Sequence, residues 1–453
     1  MGWALNIVAA GAAWACAAGL AAAQPPDQAN VQARLAQVAG SYAPDNAFMG
    51  AVLVARGDQV LLDKGYGQAD LAWGLPNAPD VKFRIGSITK QFTAALVLML
   101  RDEGKLSLAD PVGRYRPDAP TAWDKVTLAD LLGQTSGIPD FTADKRFHEW
   151  AMSPRASAEL LAFFEPLPLT FEPGAKFSYS NSNYEVLGAV IEKVSGKSYA
   201  DLLSERILKP LGMNDTGLDA DDLILAKRAQ GYRRGKDGLV QARSESLTVP
   251  WAAGAMYSTT GDLLRWQRGL YSGKLLSAAS LAAMTTAGKG DYGLGLLVIQ
   301  HDGQRVIWHN GGIEGFHAFL AYAPDRQVTV AVLSNIDNGL PDVVGTQLLD
   351  VALGRPVFLA GEQAGAPIAA AELARFEGVY PLAPEISVVV AREGDHLVMK
   401  GPTRASVLVY EGLRNGHPTF AAPALQLDAE FVPGPPASVI LHQGLMNDTV
   451  LRK

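Results

Sequence analysis

The sequence predicts an α+β fold over residues 27–355, followed after a linker by a small all-β barrel-like domain over 371–453. Three observations lead there. Strand signals cluster at both ends of the first region with helical periodicity between them, so one sheet would be completed from both ends of that region. After Arg355 the texture changes, and Pro, Ala and Gly run to about Ile368, marking a linker over 356–370. From Ala371 onward short strands and turns recur at regular spacing with almost no helix, as in a small barrel or sandwich.

Length and composition set the frame. A chain of 453 residues exceeds what one compact core supports and implies two or three domains. With 48% apolar and 19% charged residues it has the make-up of a globular protein. A net charge of −7 and the lack of a Lys/Arg-rich run argue against a nucleic-acid partner. No charged side chain occurs from Met1 to Pro26, and a nearly continuous apolar run ends in Ala21-Ala22-Ala23. That pattern predicts a secretory signal over 1–23, hence a periplasmic or secreted protein with no membrane contact after cleavage. No Lys or Arg precedes the run, which is long enough to span a bilayer if retained, so an anchor is the alternative. The one cysteine, Cys16, falls inside this segment, which leaves no thiol for disulfides, metal ligation or catalysis in the processed chain.

In chain order, Asp27 to Tyr42 reads as a first helix through Val31, Leu35 and Val38. Ala51 to Ala55, a turn at Arg56-Gly57-Asp58, and Val60 to Leu62 make a hairpin. A helix opens at Ser87, with Ile88, Phe92, Ala95, Leu96 and Met99 as its buried stripe, and stops near Gly104. Leu131 to Asp140 leaves a helix for a turn-rich stretch. Phe171 to Tyr184 is a polar loop feeding a helix through Val186, Leu187, Val190 and Ile191, and the chain reads as largely helical to about Arg228. Gly254 to Asp262 opens another helix, with Thr260 or Ser258 available as its cap. Arg305 to His309, Phe316 to Tyr322 and Val328 to Ser334 read as strands, and Leu340 to Leu353 as a closing helix. In the last domain the clearest strands are Ser387–Val390, Leu397–Lys400, Ser406–Tyr410, Leu425–Phe431 and Val439–His442.

The stretch with chemical promise is Ser87-Ile88-Thr89-Lys90. A spacing of three on a helix puts a hydroxyl and an amine on one face. Serine needs a neighbouring base to act as a nucleophile, and a desolvated lysine with a lowered pKa can be that base. The N–H of Ser87 at a helix start also belongs to the donors that favour a developing negative charge. By itself an S-x-x-K is more often a cap followed by a surface lysine.

Two further segments change that reading. Ser87-Ile88-Thr89-Lys90, Tyr179-Ser180-Asn181 and His309-Asn310-Gly311-Gly312 occur in the order of the three motifs of the serine β-lactamase and penicillin-binding protein superfamily, and the chain resembles its class C and D-aminopeptidase-like branch. The Thr135-Ser136-Gly137 turn, Leu211-Gly212-Met213 and Tyr292-Gly293-Leu294-Gly295 add to the likeness, which covers about Asn30 to Gly354. The resemblance implies a β-lactamase-like antiparallel sheet flanked by helices, with an all-helical subdomain. It implies Ser87 as nucleophile, Lys90 as its proton partner, and Tyr179 as base for acylation and proton donor to the leaving group. Asn181 would hold the substrate amide or Lys90, with His309, Asn310 and Gly311 beside it as substrate-binding residues. The N–H groups of Ser87 and Gly312 would form the oxyanion hole. For Tyr179 to act as a base near neutral pH, cations must lower its pKa, and Lys90 with a charged His309 would supply that field.

The implied activity is serine hydrolysis through an acyl-enzyme on a small-molecule or peptide substrate, of β-lactam, D-amino-acid peptide or ester type, with no cofactor and no metal. The alternative is a penicillin sensor that acylates without turning over. One departure stands out. His309 and Asn310 occupy positions where relatives often have Lys and Thr, and a histidine cannot copy a permanent ammonium, which argues against strong β-lactam hydrolysis. Gln134, where relatives often have His, reads as structural. His309 and His317 with Glu314 between them could suggest metal ligands, but no H-E-x-x-H pattern is present. The opening segment of the last domain, Phe376 to Tyr380, resembles the lipocalin-like β domain that often follows such hydrolases, and a packing role is expected for it. Oligomeric state is left open.

Overall fold

The computed structural model describes residues 28–451, apart from 244, 360–367, 369, 384–385, 395, 402–404, 415, 423–424, 426 and 435–436. The expected signal segment with Cys16, and most of the expected linker, lie outside the described residues.

Helix α1 (Gln28–Ser41) leads into the hairpin β1 (Gly50–Arg56) and β2 (Gln59–Tyr66). Helices α2 (Thr89–Asp102) and α3 (Asn181–Ser195) lie in the long excursion that follows. The chain returns as β3 (Leu297–His301), β4 (Gln304–Ile313), β5 (Phe316–Ala323), β6 (Val328–Ser334) and α4 (Leu340–Leu353). The six strands make one antiparallel sheet in the order β3-β4-β5-β6-β1-β2. Gly50 of β1 faces Ser334 of β6, so strands from the two ends of the region close the sheet.

Strand alternation divides the core in two. Val52, Val54, Val330, Val332 and Trp308 face α1 and α4 in one buried cluster. Leu53, Ala331, Leu333, Leu320 and Ile307 face α2 and the helical subdomain in another. Helix α2 is buried on every side from Thr89 to Leu100, not along one stripe, because it runs between the sheet and the helices around α3.

Several boundaries depart from expectation. Helix beyond α3 ends at Leu211, where Gly212 takes a left-handed φ of +66°, and no helix follows before Arg228. The helix Thr260–Tyr271 is capped by Thr259, whose side chain accepts from Asp262 N, and not by Thr260 or Ser258. Strand β3 was not expected from its short, half-polar sequence.

Among the described residues the C-terminal domain has eight strands: β7 (Gly378–Ala383), β8 (Ile386–Glu393), β9 (His396–Lys400), β10 (Ala405–Arg414), β11 (His417–Ala422), β12 (Leu427–Val432), β13 (Ser438–Gln443) and β14 (Met446–Leu451). Each pairs with the next, and β7 lies against β14, which gives a nearly closed barrel. Phe376, Tyr380, Phe420 and Phe431 fill it. The barrel docks on the α4 side of the main sheet. Leu445, in the β13–β14 turn, is buried in the same cluster as Leu340, Val344 and Leu348. A Cβ on the preceding Gly444 would lie 2.9 Å from the Asp342 carbonyl oxygen, and Arg414 pairs with Asp302 at 3.4 Å.

Candidate active site

The nucleophile turn is built by backbone pairing. Phe83 and Arg84 pair with Ser258 and Tyr257, and Ile85 N donates to Met256 O at 2.9 Å. Gly86 then takes a φ of +50°, and a Cβ there would stand 2.9 Å from Gly312 N, so only glycine lets the chain turn this close to β4. Ser87 follows in a single 3-10 turn and α2 starts at Thr89. Lys90 therefore sits three residues after Ser87, fully buried, with Nζ 2.9 Å from Ser87 Oγ.

The hydrogen bonds of Lys90 suit both of its proton states. Nζ also lies 2.8 Å from Asn181 Oδ1 and 2.9 Å from the Ala253 carbonyl. Asn181 Nδ2 donates to the Asp140 carboxylate at 3.2 and 3.3 Å, which fixes the amide orientation. Both Asn181 Oδ1 and Ala253 O can only accept. A neutral amine gives its two hydrogens to them and turns its lone pair to the Ser87 hydroxyl. Burial pulls the Lys90 pKa down to about 7, against the opposing charges of Glu185 and Asp140.

Tyr179 stands beside this pair, its ring centroid 5.0 Å from Lys90 Nζ. Its pKa is not lowered as expected. Burial pushes it well above the usual tyrosine value, and neighbouring Tyr292 adds to that, while a hydrogen bond with Ser87 opposes. The phenol thus keeps its proton. His309 does not supply the expected charge either. Burial first, then the Lys90 charge, pulls it down to about 3, so it is neutral. Its Nδ1 donates to Asn310 O at 2.5 Å, and Nε2 accepts from the Tyr292 hydroxyl at 3.2 Å.

The third motif splits across the sheet. His309 shares the α2 face but is only 2% exposed and is spent on Tyr292 and Asn310 O, so it supports Tyr292 and does not reach substrate. Asn310 points to the opposite face, where Nδ2 donates to Asp342 of α4 at 2.9 Å, and it is no substrate ligand. His317 meets the same Asp342 at 3.2 Å, so the two histidines face opposite ways. Gly311 packs under the nucleophile turn, since a Cβ there would lie 2.0 Å from Ile85 O. Gly312 borders the Ser87 cavity. The two-residue turn Glu314-Gly315 makes Ile313 and Phe316 the closing pair of the β4–β5 hairpin. The next residue inward, Gly312, then directs its N–H off the ladder toward Ser87.

The cavity at Ser87 encloses about 240 Å³, with Phe141, Phe147, Val249, Pro250 and Ile313 as its apolar walls and Glu245 at one edge. Among the described residues no Lys, Arg or His lines it. Beyond Glu245 a broader groove opens past His148, Glu149, Arg233, Arg243 and Glu314. Asp140 and Glu185 belong to this site and were not singled out from the sequence. Asp140 stands at the end of the turn-rich stretch after Gly137, and its distance in sequence from Asn181 hid the contact. Gln134 is structural as expected, its Oε1 accepting from Ser180 N at 3.0 Å and Asn183 Nδ2 at 2.6 Å.

Comparison with known proteins agrees with this geometry. The family profile described as Beta-lactamase matches residues 28–353. A penicillin-binding protein of Bacillus subtilis (strain 168) is 28% identical over 439 residues, 89% of this chain and 95% of that one. The octameric penicillin-binding protein homologue from Pyrococcus abyssi superposes with a TM-score of 0.64 at 25% identity, covering 94% of this chain and 100% of its own. A D-stereospecific amidohydrolase from Streptomyces sp. superposes with a TM-score of 0.60 at 28% identity, covering 72% and 98%.

Proposed function

The chain belongs to the beta-lactamase family, whose serine hydrolases act on amides or β-lactams, and from that premise we propose that it is an exported amidase or esterase for small uncharged acyl groups. The observation that carries the reading is the placement of Lys90, a buried amine 2.9 Å from Ser87 Oγ with a pKa near neutrality.

In this reading Ser87 Oγ attacks the carbonyl carbon while its proton passes to Lys90 Nζ, which makes Lys90 the base in place of Tyr179. The carbonyl oxygen gains negative charge between the N–H groups of Ser87 and Gly312, an arrangement worth a few kcal/mol of barrier in related chemistry. Tyr179 donates its hydroxyl proton to the leaving nitrogen or oxygen and recovers one from the Lys90 ammonium. Net, one proton moves from Ser87 to the leaving group. Water then repeats the sequence on the acyl-enzyme and releases the acid.

Substrate choice follows from the cavity. Its volume of about 240 Å³ lies under the usual span of drug-sized sites, about 300–1,000 Å³. With His309 neutral and no cation on its walls, it offers no counter-charge to the carboxylate of a β-lactam. Small amides of the kind suggested by the D-stereospecific relative, and short esters, suit it better. No helix among the described residues is long and apolar enough to cross a membrane. Intact-mass spectrometry with a D-amino-acid amide, a short nitrophenyl ester and a penicillin tests the reading. Turnover of the first two is expected, with Ser87→Ala inert. Persistent acylation by penicillin with no turnover of amide or ester would replace this function with a sensor.

A further inference from the structure

Glu185 is a buried acid beside the nucleophile to which the mechanism above gives no task. It lies on α3 one turn after Asn181, so both side chains leave the helix on the face toward Lys90. Its exposure is 0%, it borders the Ser87 cavity, and its carboxyl oxygens make no close hydrogen bond to any side chain among the described residues. A buried carboxyl so weakly held weakens a fold, and its surroundings supply a reason for its presence.

Opposite Glu185 runs the turn Trp251–Gly254, which forms one wall of the cavity. Helix α2 grips that turn by its carbonyls: Lys90 Nζ donates to Ala253 O at 2.9 Å, and Thr93 Oγ1 to Ala252 O at 2.7 Å. The amides of Ala252 and Ala253 face the Glu185 carboxyl from the other side. Gly188 leaves no slack, since a Cβ there would stand 2.7 Å from Ala252 Cβ. The charged groups facing Glu185 are few. Lys90 comes from α2, and Asp140 from the turn-rich stretch that follows Gly137, its oxygens taken up by Asn181 and Thr142. Tyr199, bonded to Thr93 at 2.7 Å, is a neutral neighbour.

We propose that Glu185 is a positioning residue for Lys90: it braces the turn that grips the amine and places opposite it a buried carboxyl that gives up its proton when the amine takes one. The influence is mutual. Burial pushes the Glu185 carboxyl well above the usual carboxylate range and Lys90 opposes that, while Glu185 in its ionised form favours the charged form of Lys90. Two groups so placed take up and release protons as a pair. Removing the acid leaves the ammonium with less support, so Lys90 loses its proton at lower pH.

The inference rests on Lys90 being the base, and the test separates the two. The pH dependence of Ser87 acylation by a nitrophenyl ester is measured for the full chain and for Glu185→Gln. The acid limb is expected to move down by about one pH unit, with KM little changed. Glu185→Met, which removes the unpartnered oxygens and does not depend on an amide being tolerated, must move it the same way, and Glu185→Asp must bring it back toward the original position. A limb that stays in place in the folded Gln or Met variant overturns the inference, even if the plateau falls, because bracing alone lowers the plateau without moving the limb. Lys90→Met is run beside them. If it stays active with the original limb, the base assignment itself falls. If it is inactive while the Gln limb is unmoved, only the role of Glu185 falls.

Discussion

Lys90 offers the sharpest test of the site, because one number ties its surroundings to a rate. With its pKa near 7, the neutral amine makes up about a tenth of the enzyme at pH 6, half at pH 7 and about nine tenths at pH 8. Acylation should therefore rise about tenfold per pH unit below neutrality and level off above it. The sign follows from the role: a base is lost as pH falls through its pKa, whereas a phenolate base at Tyr179, pushed above the usual tyrosine value, would keep the rate rising far into the alkaline range. Lys90→Met should lower acylation about 10²–10⁴-fold, the span of a general base, and should erase the limb near pH 7. The assay is the pre-steady-state burst of nitrophenolate from a short ester, followed from about two pH units below to about three above the Lys90 pKa. A profile that climbs through pH 9 without levelling, or a limb near 7 that survives Lys90→Met, would refute the assignment.

Three further outcomes are expected. Tyr179→Phe should slow cleavage of amides about a hundredfold but spare nitrophenyl esters, whose leaving group departs without a proton. Equal losses on both would remove Tyr179 as the donor. Gly311→Ala puts a Cβ 2.0 Å from Ile85 O, so thermal melting should show a loss of at least about 1–3 kcal/mol from overpacking together with loss of acylation. Wild-type melting and rate would contradict the packing of β4 under the Ser87 turn. Leu445→Ala should cost about 2–5 kcal/mol in denaturant unfolding, as for other buried leucines, and an unchanged midpoint would mean that the barrel is not anchored through that side chain.

Elements with strong periodicity were legible from the sequence. The closing helix was placed at Leu340–Leu353, the bounds it has in the structure, because Val343, Val344, Leu348 and Leu349 mark it and Gly354 ends it. Strands β7 and β11 escaped because each carries a proline, Pro381 and Pro418, which sequence reasoning takes as a mark against a strand. In the site, the motifs located Ser87, Lys90, Tyr179 and Asn181 but not the direction in which side chains point. Asn310 and Gly311 are adjacent in sequence and lie on opposite faces of β4, so a contiguous motif reads as one patch when it serves two. The charge states were hidden for a related reason. Burial decides them at Tyr179 and His309, and burial belongs to the packed molecule. Glu185 escaped because glutamate is ordinarily a surface residue, and only the sealing of α3 against the 251–254 turn places it inside.

Asp342 gives the barrel a bearing on chemistry it never touches. Its side chain holds Asn310 and His317 from behind β4 and β5, and its carbonyl is the surface against which Gly444 lies. The strand that carries Gly312 beside Ser87 is thus backed by a helix whose own outer side is plugged by Leu445. Cutting the chain near residue 356 would leave an open apolar socket directly behind the reaction centre. A shortened enzyme would then tend to self-associate through that socket, and would need polar replacements around Val344 and Leu348 before its kinetics could be compared with those of the whole protein.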